Sequence, residues 1–330
     1  MPQNSSLFNG GIIGKDNTPS ASDKVTSFTS NGTFNRTTPS ATVIVVAGGG
    51  SGGQGGGGGG GVLVTACHPL PASSVPVTIG AGGAARADSA PFANPGSSGA
   101  NSVFGSSTPL TATGGAGGGG HRGNGGGGAG GPCAASNSPS SAAAWDAGTD
   151  NQGFNSGAGT GFQQGGGGGG AGQPGGSAGT FGGIGGMGKV TLPFGVPKCL
   201  GECGFFGGGG GGQASQFGAG TSSTPVTEIP VGPYPQALKF CTGGFGGGGQ
   251  GQTKVACNSA DPFQDPEDGD ANSGGGGGAV NLGYSNGPNT TGAGGSGIVV
   301  VVEPSANVTV NSGVYKMVEQ YHFKKLSKWS

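Results

Sequence analysis

Long runs of glycine are the feature that most constrains how this chain can fold. Glycine accounts for 87 of the 330 residues, whereas average usage is about 7%. Runs of four or more consecutive glycines occur at 55–61, 117–120, 125–128, 165–170, 207–212, 246–249 and 274–278. Because glycine loses more backbone freedom on folding than any other residue, ordering these runs is costly. The runs must therefore be either disordered or held by interactions of the backbone itself.

Residues that interrupt the runs favour an ordered packing. Charged residues make up only 8% of the chain, so disorder driven by self-repelling charge is excluded. Apolar residues of the kind that become buried punctuate the glycines at Phe104, Phe181, Ile184, Met187, Phe205, Phe206, Phe217 and Phe245. A disordered glycine-rich scaffold stays open as an alternative, but these residues favour a packed body.

Glycine runs can pack as extended helices of the polyproline type, with three residues per turn and a rise of about 3.1 Å per residue. Such a helix makes no internal hydrogen bonds, so its N–H and C=O groups point at neighbouring helices. We predict a hexagonal bundle of these polyglycine II rods, in which a run of six residues spans about 19 Å. Glycine is expected inside the bundle, and other residues on its outer faces or at the rod ends.

Short β-branched segments predict strands on both sides of the glycine-rich region. The two strongest are Thr42–Val46 and Ile298–Val302, and continuous apolar strands of this kind are expected to be buried on both faces. We predict that these two strands pair and close the region. Further strands are predicted at Val62–Ala66, Val75–Ile79, Ser102–Phe104 and Leu110–Ala112. The predicted fold class is therefore mainly β and irregular: a polyglycine II core closed by short strands, with little α-helix.

The composition divides the chain into three predicted parts. Residues 1–40 are polar and turn-rich and predict an N-terminal docking arm, 41–302 form the glycine-rich domain, and 303–330 form a C-terminal capping or docking segment. The last segment carries the aromatic residues Tyr315, Tyr321, Phe323 and Trp329. The N-terminus lacks the features of a secretory signal, and no apolar run reaches about 18 residues, so we predict no export signal and no membrane insertion.

Patterns that resemble phosphate or calcium motifs are incomplete. Gly183–Lys189 has the spacing of a phosphate-binding loop, but Val190 stands where Ser or Thr must bind magnesium. The acidic segment Asp261–Asp270 contains part of the spacing of a calcium loop without its bidentate glutamate, which favours a solvated loop. A formal net charge of -1 offers no basic footprint for nucleic acid.

Cysteine and histidine patterns also favour no site. Cys199, Cys203, Cys241 and Cys257 match a tetrahedral zinc site in number but lack the paired knuckle spacing, so buried free thiols or a disulfide are favoured. His68, His121 and His322 have no recognisable nucleophile or base partner. We predict that the protein is not an enzyme and has no catalytic residue, cofactor or bound metal.

Several segments together resemble a known family. Residues 41–61 (ATVIVVAGGGSGGQGGGGGGG), VPVTIGAGG, NSVFG, LTATGGAGGGG and the closing GGSGIVVVV resemble the glycine-rich domain common in bacteriophage tail-fibre and other virion proteins. The flanks SLFNGGIIGKDNTPS and NSGVYKMVEQYHFKKLSKWS resemble those of such proteins in phages of marine bacteria. The resemblance covers most of the chain and includes some phage adhesins with a polyglycine II core.

The resemblance implies a virion component made in the host cytoplasm and assembled with other virion proteins, in an oligomeric assembly. It implies a tail-fibre or adhesin subunit whose loops contact a host cell-surface receptor. The candidate loops are Cys133–Gln152, Lys198–Phe206, Thr221–Lys239 and Thr253–Ala271. The candidate receptor contacts are Trp145, Tyr234 and Phe263, and the candidate docking residues are Tyr315, Tyr321, Phe323 and Trp329. A capsid decoration or tail structural protein without receptor binding is the alternative.

Overall fold

The computed structural model describes the chain over residues 23–87, 95–119, 151–159, 164–178, 182–197, 199–213, 241–252, 265–280 and 290–304. The chain divides into a main unit, Val25–Val302, and a unit formed by the two chain ends, of which residues 23–24 and 303–304 are described. In the unit of the chain ends, the Lys24 ammonium lies 3.0 Å from the buried Glu303 carboxylate. No helix in the described ranges is long and apolar enough to cross a membrane.

The main unit begins with a four-stranded sheet in the order β1-β10-β3-β4. These strands are β1 (Lys24–Phe28), β3 (Ser40–Val46), β4 (Val62–Pro69) and β10 (Ile298–Glu303). β10 pairs antiparallel with β3, with Ile298 opposite Val46 and Val302 opposite Thr42. The predicted pairing of Thr42–Val46 with Ile298–Val302 is thereby confirmed.

A second sheet of four strands, in the order β2-β5-β6-β7, packs on the first. Its strands are β2 (Gly32–Asn35), β5 (Ser74–Thr78), β6 (Ser102–Phe104) and β7 (Leu110–Ala112). The apolar core between the sheets joins Val43 and Val301 of the first sheet to Phe34 and Phe104 of the second. This sandwich uses one face of β3 and β10 only.

The other face of β3 and β10 is also buried. Ile44, Val300 and Ile298 pack there against Phe206, Ala171 and Val196, which come from the glycine-rich part of the chain. Burial on both faces explains why the two segments are continuously apolar rather than alternating. It follows that the closing pair of strands lies in the centre of the folded domain.

The other four predicted strands are also present, with boundaries within a few residues. β6 and β7 match the predicted ranges, β5 ends one residue earlier, and β4 extends to Pro69. Sequence analysis did not predict β1 and β2, which lie within the range 1–40. Nor did it predict the short pair β8 (Lys189–Val190) and β9 (Phe205–Phe206). The segment between these two strands, called the β8–β9 excursion here, includes a 3₁₀ turn at Leu192–Phe194. The described chain is otherwise irregular or extended, in agreement with the predicted fold class.

The glycine runs that the structure describes form rods whose hydrogen bonds repeat every three residues. In the 47–53 rod, Gly49 and Gly52 donate to the 290–297 rod, while their neighbours donate to two other rods. The seven N–H to O pairs of this rod are Gly48–Ala100, Ser51–Ser97, Gly49–Gly295, Gly52–Gly292, Ala47–Gly61, Gly50–Gly58 and Gly53–Gly55, at 2.8–3.1 Å. Each third residue therefore faces the same neighbour, which is the behaviour predicted for polyglycine II helices.

The central rods 47–53, 207–213 and 274–280 each hydrogen-bond to six others. The 47–53 rod donates to three neighbours and accepts hydrogen bonds from three more, the 80–87, 113–119 and 274–280 rods. The other described rods also bond to their neighbours through the backbone, and they cover 55–61, 95–100, 153–158, 164–171, 173–178, 182–188, 241–244, 246–252, 265–270 and 290–297. Backbone bonds thus satisfy the glycine amides and carbonyls without side chains, which supports the predicted hexagonal bundle.

Non-glycine residues lie mostly on the outer faces, as predicted, but not everywhere. In the outer 80–87 rod, Gly80 and Gly83 are buried whereas Ala81 and Ala84 are exposed. The prediction that only glycine fits inside is wrong at Ser51, which is fully buried. Ser51 fits because its Oγ accepts a hydrogen bond of 2.8 Å from the Ser97 amide. Ala116 and Ala279 are also buried within rods.

Candidate functional site

The rod bundle has two ends that differ in what they adjoin. One end, the sheet end, continues directly into β3 at Val46, β4 at Val62 and β10 at Ile298. The opposite end is called the distal end here, and it is marked by the turn at residues 53–55, where Gly53 donates to Gly55. Each rod is hydrogen-bonded to its neighbours along its length. The residues that it pairs with therefore show which of its two ends lies at the sheet end and which at the distal end.

Most departures of the chain from the described rods occur at the distal end. The chain leaves a rod there and re-enters another at 87 and 95, 159 and 164, 178 and 182, 213 and 241, 252 and 265, and 280 and 290. It also leaves there at 119, but the next described residues lie at the sheet end, because Val62 donates to the Gln152 carbonyl. The distal end is therefore where the rods present their connections.

The chain exit from the main unit lies at the opposite pole. β3 runs toward the bundle and ends at Val46, whereas its first residues lie farthest from the rods. Val302 pairs with Thr42, so β10 ends at that far edge. β1, the first described strand, is the neighbour of β10 in the same sheet. The fold thus separates the chain exit from the distal end by the lengths of both the sandwich and the bundle.

Buried glutamines terminate several rods at the distal end. Gln54, Gln213 and Gln252 are at most 2% exposed. The Gln213 carbonyl accepts from the Gly165 amide, and the Gln252 amide donates to the Ala279 carbonyl at 2.7 Å. These side chains place uncharged carboxamides, rather than ionised groups, in the layer beneath the distal connections.

The residues predicted to contact a receptor lie outside the described part of the chain. This holds for Trp145, Tyr234 and Phe263, and also for the predicted docking residues Tyr315, Tyr321, Phe323 and Trp329. Tyr234 falls between the distal rod ends 213 and 241, and Phe263 between the distal rod ends 252 and 265. Trp145 falls between the distal rod end 119 and Asn151, which lies at the sheet end.

Two of the predicted loops differ from expectation where they are described. Lys198–Phe206 does not join the distal connections, because its described residues lie at the sheet end, where Leu200 packs against the buried cluster on the outer face of the first sheet. The acidic segment is not a solvated loop over 265–270, where Glu267 and Asp270 donate from their amides to Gln250 and Gly247. Its side chains are exposed because this is an outer rod with only Gly269 facing inward.

The partial calcium spacing in this segment is occupied by structural hydrogen bonds. The Asp268 carboxylate accepts from the Ala293 amide at 2.7 Å. The Asn272 side-chain oxygen accepts from the Ser296 hydroxyl at 3.2 Å. These groups tie the 265–270 rod and the turn after it to the 290–297 rod.

Lys189, the last residue of the phosphate-loop pattern, also has a structural role. Residues 183–188 form a rod, and the Lys189 ammonium donates to the carbonyls of Val62 and Asn151, both at 3.3 Å. Burial lowers the pKa of Lys189 from its ordinary value. The lysine therefore joins a strand start to the turn at Asn151.

The four cysteines considered for zinc do not assemble. Cys241 is buried beside Gly211 and Gly251 toward the distal end, whereas Cys199 and Cys203 are exposed near the sheet end. Gly211 lies five residues along its rod from Phe206, which corresponds to about 15 Å at the rise of such a rod. Cys257 lies outside the described residues. Burial raises the pKa of Cys241 to about 12, against a small lowering by a hydrogen bond with the Gly182 backbone.

Sequence reasoning missed the role of Glu202. Its carboxylate accepts hydrogen bonds from the amides of Gly246 and Gly247 at 2.7 and 3.1 Å, where both glycines have positive φ. This contact holds the start of the 246–252 rod to the β8–β9 excursion. No local spacing indicates it, because the partners are more than forty residues away in sequence.

Comparison with known proteins identifies the family of this chain. The glycine-rich domain family matches residues 27–303, which is most of the chain and nearly all of the main unit. A search of curated proteins found no match to this chain. With its glycine runs packed into a bundle closed by β3 and β10, and matched from β1 to β10, the chain belongs to the glycine-rich domain family.

Proposed function

We propose that the protein is a structural component of a bacteriophage virion, a tail-fibre or adhesin subunit that recognises the host through loops on its polyglycine core. The observation that carries this proposal is the separation of the two poles of the main unit. Six pairs of rod ends open at the distal end, whereas β10 leaves the main unit at the far edge of the sandwich.

The rod bundle is suited to act as a rigid scaffold for variable loops. Its order comes from bonds between backbones, such as Gly57 to Gly277 and Gly210 to Gly57, at 2.9 and 2.8 Å. These backbone bonds do not involve the side chains of the distal connections. A change of sequence in a distal connection therefore leaves the bonds in place. Loops on rigid scaffolds are common carriers of binding function.

The remaining features fit a non-catalytic role within an assembly. Three charged groups, those of Lys189, Glu202 and Asp268, each hold two parts of the backbone together. In this proposal the terminal segments attach the subunit to other virion proteins in an oligomeric assembly, and the loops contact a host cell-surface receptor. The protein uses no cofactor and acts outside the host cell after assembly in its cytoplasm.

The proposal is tested by locating the chain on purified particles and by blocking adsorption. Electron microscopy with an antibody against the chain should label the tail tip or fibres, and excess purified protein should reduce adsorption to host cells. Trp145→Ala, Tyr234→Ala and Phe263→Ala should weaken this inhibition, while Phe154→Ala, at a 47% exposed side chain beside the 164–171 rod, should not.

The outcomes separate the alternatives. Label on the capsid surface together with no inhibition would instead identify a decoration protein without receptor binding. Label on the tail without inhibition would assign a tail structural role. Absence of label on the particle would contradict the virion assignment altogether.

A further inference from the structure

The excursion between β8 and β9 presents two thiols on the protein surface. Cys199 and Cys203 are both exposed and free. Cys241, by contrast, is fully buried within the bundle. Cys67 is half-buried, so Cys199 and Cys203 are the exposed cysteines among those that the structure describes.

Consecutive turns fold this excursion back on itself. The Leu200 amide donates to the Pro197 carbonyl at 3.1 Å, and the Gly204 amide donates to the Leu200 carbonyl at 3.0 Å. Glu202 and Phe205 then exchange backbone bonds of 3.2 and 3.0 Å around a two-residue hairpin turn. Cys203 and Gly204 occupy that turn with φ of 53° and 82°, as in a type I′ turn.

Such folding shortens the span of chain between the two cysteines. Extended chain would separate residues 199 and 203 by about 13 Å. Cys199 lies in the turn closed by the Pro197 carbonyl and Cys203 in the turn closed by Glu202 and Phe205, and the bond from Gly204 to Leu200 links the two turns. A disulfide spans Cα separations of about 4.4–6.8 Å. Gly201 and Gly204, both at positive φ, leave the backbone free to make the remaining adjustment.

Other groups anchor the excursion independently of the thiols. Glu202 binds the Gly246 and Gly247 amides, and the Phe205 ring lies 6.1 Å from that of Phe245. Leu200 packs on the buried cluster beneath. The loop is therefore formed in the reduced protein, with its thiols presented to solvent.

We propose that Cys199 and Cys203 are an oxidisable dithiol that closes to an intraloop disulfide by exchange with a small-molecule disulfide of the glutathione class. One thiolate attacks the small disulfide, forming a mixed disulfide and releasing one small thiol. The second thiolate attacks the protein sulfur of that mixed disulfide, forming the Cys199–Cys203 bond and releasing the second small thiol. The protein loses two hydrogens, and the small disulfide is reduced to two thiols.

This bond would fix the conformation of the β8–β9 excursion, which packs on the face of the first sheet opposite the second sheet. It would not change the rods. The proposal does not depend on the virion assignment. In a particle assembled in a reducing cytoplasm and released into an oxidising medium, the bond would form after release.

The test uses the full-length protein under native conditions with oxidised glutathione at pH 8, followed by quenching, alkylation and peptide mass mapping. The expected result is a peptide two hydrogens lighter that joins Cys199 to Cys203, fully reversed by dithiothreitol. Cys203→Ser and Cys199→Ser should each accumulate a stable glutathione adduct on the remaining thiol. Cys241→Ala, the matched control, should form the intraloop bond as the wild type does.

Accumulation of glutathione adducts on both cysteines of the wild-type protein would overturn the proposal, because it would show that the second thiol cannot reach the first. Pairing of either cysteine with another cysteine or a second chain would also overturn it. The wild-type measurement decides the matter even if a variant fails to fold.

Discussion

At many positions in the bundle, a carbonyl of the neighbouring rod lies so close that only glycine fits. A Cβ built on Gly210 overlaps the carbonyl of Gly277, and one built on Gly57 overlaps the carbonyl of Gly50. These neighbours are backbone atoms in hydrogen-bonded rods and cannot rotate away as a side chain would. The absence of a side chain is therefore a packing requirement at these positions.

Gly210→Ala tests this requirement directly. We expect it to lower the free energy of unfolding by about 3 kcal/mol or more, because overpacking a close-packed interior moves whole rods. Gly32→Ala is the control, since a Cβ on this exposed β2 residue lies 3.3 Å from the movable Phe28 ring. Denaturant unfolding followed by circular dichroism would show the difference. Equal effects of the two changes would contradict the packing argument.

The carboxylate of Glu202 provides a second residue-scale prediction. Glu202→Ala removes two hydrogen bonds to the Gly246 and Gly247 amides, so we expect a loss of about 1.5–3 kcal/mol in the free energy of unfolding. Glu202→Gln keeps an acceptor oxygen and should lose less. The same denaturant titrations measure both, and a neutral Glu202→Ala would show that the contact does not stabilise the turn.

Burial of Cys241 predicts an alkaline loss of stability. Its pKa is raised from 9.0 to about 12 in the folded protein, so the unfolded chain ionises first. The contribution is complete below pH 9 and is lost as pH rises from 9 toward 12, by up to about 1.4 kcal/mol per pH unit. The stability difference between wild type and Cys241→Ala, followed from pH 7.5 to 11, should shrink across that window. A constant difference would contradict this account.

At the scale of elements, the closing pair of strands joins sandwich and bundle. Val300 is fully buried opposite Ile44 on the face that packs against Phe206 and Val196, while Val299 and Val301 face the second sheet. Two cores therefore share one pair of strands. A change on either face of β10 affects a core directly.

Val300→Ala should reduce the free energy of unfolding by about 2 kcal/mol, the transfer and cavity cost of two buried methyl groups. Val190→Ala makes the same chemical change at a side chain that is 40% exposed and should cost less than about 0.5 kcal/mol. Thermal unfolding of both variants would compare them. A similar shift in Tm for the two would show that β10 is not a core strand.

The strength of the local signal decided which elements sequence analysis could predict. β3 and β10 were predictable because a β-branched run is buried on both faces, and the rods because only backbone packing can order glycine. β1, KVTSF, and β2, GTFN, are short and mostly exposed, so they carry little hydrophobic pattern. The Glu202 contact was not predictable, because its partners become neighbours only after the rods assemble.

The position of the candidate receptor loops at the distal end was predictable only in part. Sequence analysis predicted loops between rods, but it could not tell which loops share an end. Chain direction within the bundle settles that question, and it comes from the pairing of distant rods, such as the parallel 55–61 and 164–171 rods and the antiparallel 207–213 and 182–188 rods. This is why sequence analysis groups Lys198–Phe206 with the other candidate receptor loops, although its described residues, 199–206, lie at the sheet end.

For the whole molecule, the account depends on the glycine runs being ordered by bonds between rods. Residue-resolved amide hydrogen exchange tests this most directly, because it reports the free energy of opening at each backbone group. We expect the amides of Gly50, Gly57, Gly210 and Gly277, all bonded to other rods, to exchange as slowly as that of Val300 in β10. Exchange of these four amides at the rate of an unstructured chain, with Val300 protected, would contradict the account.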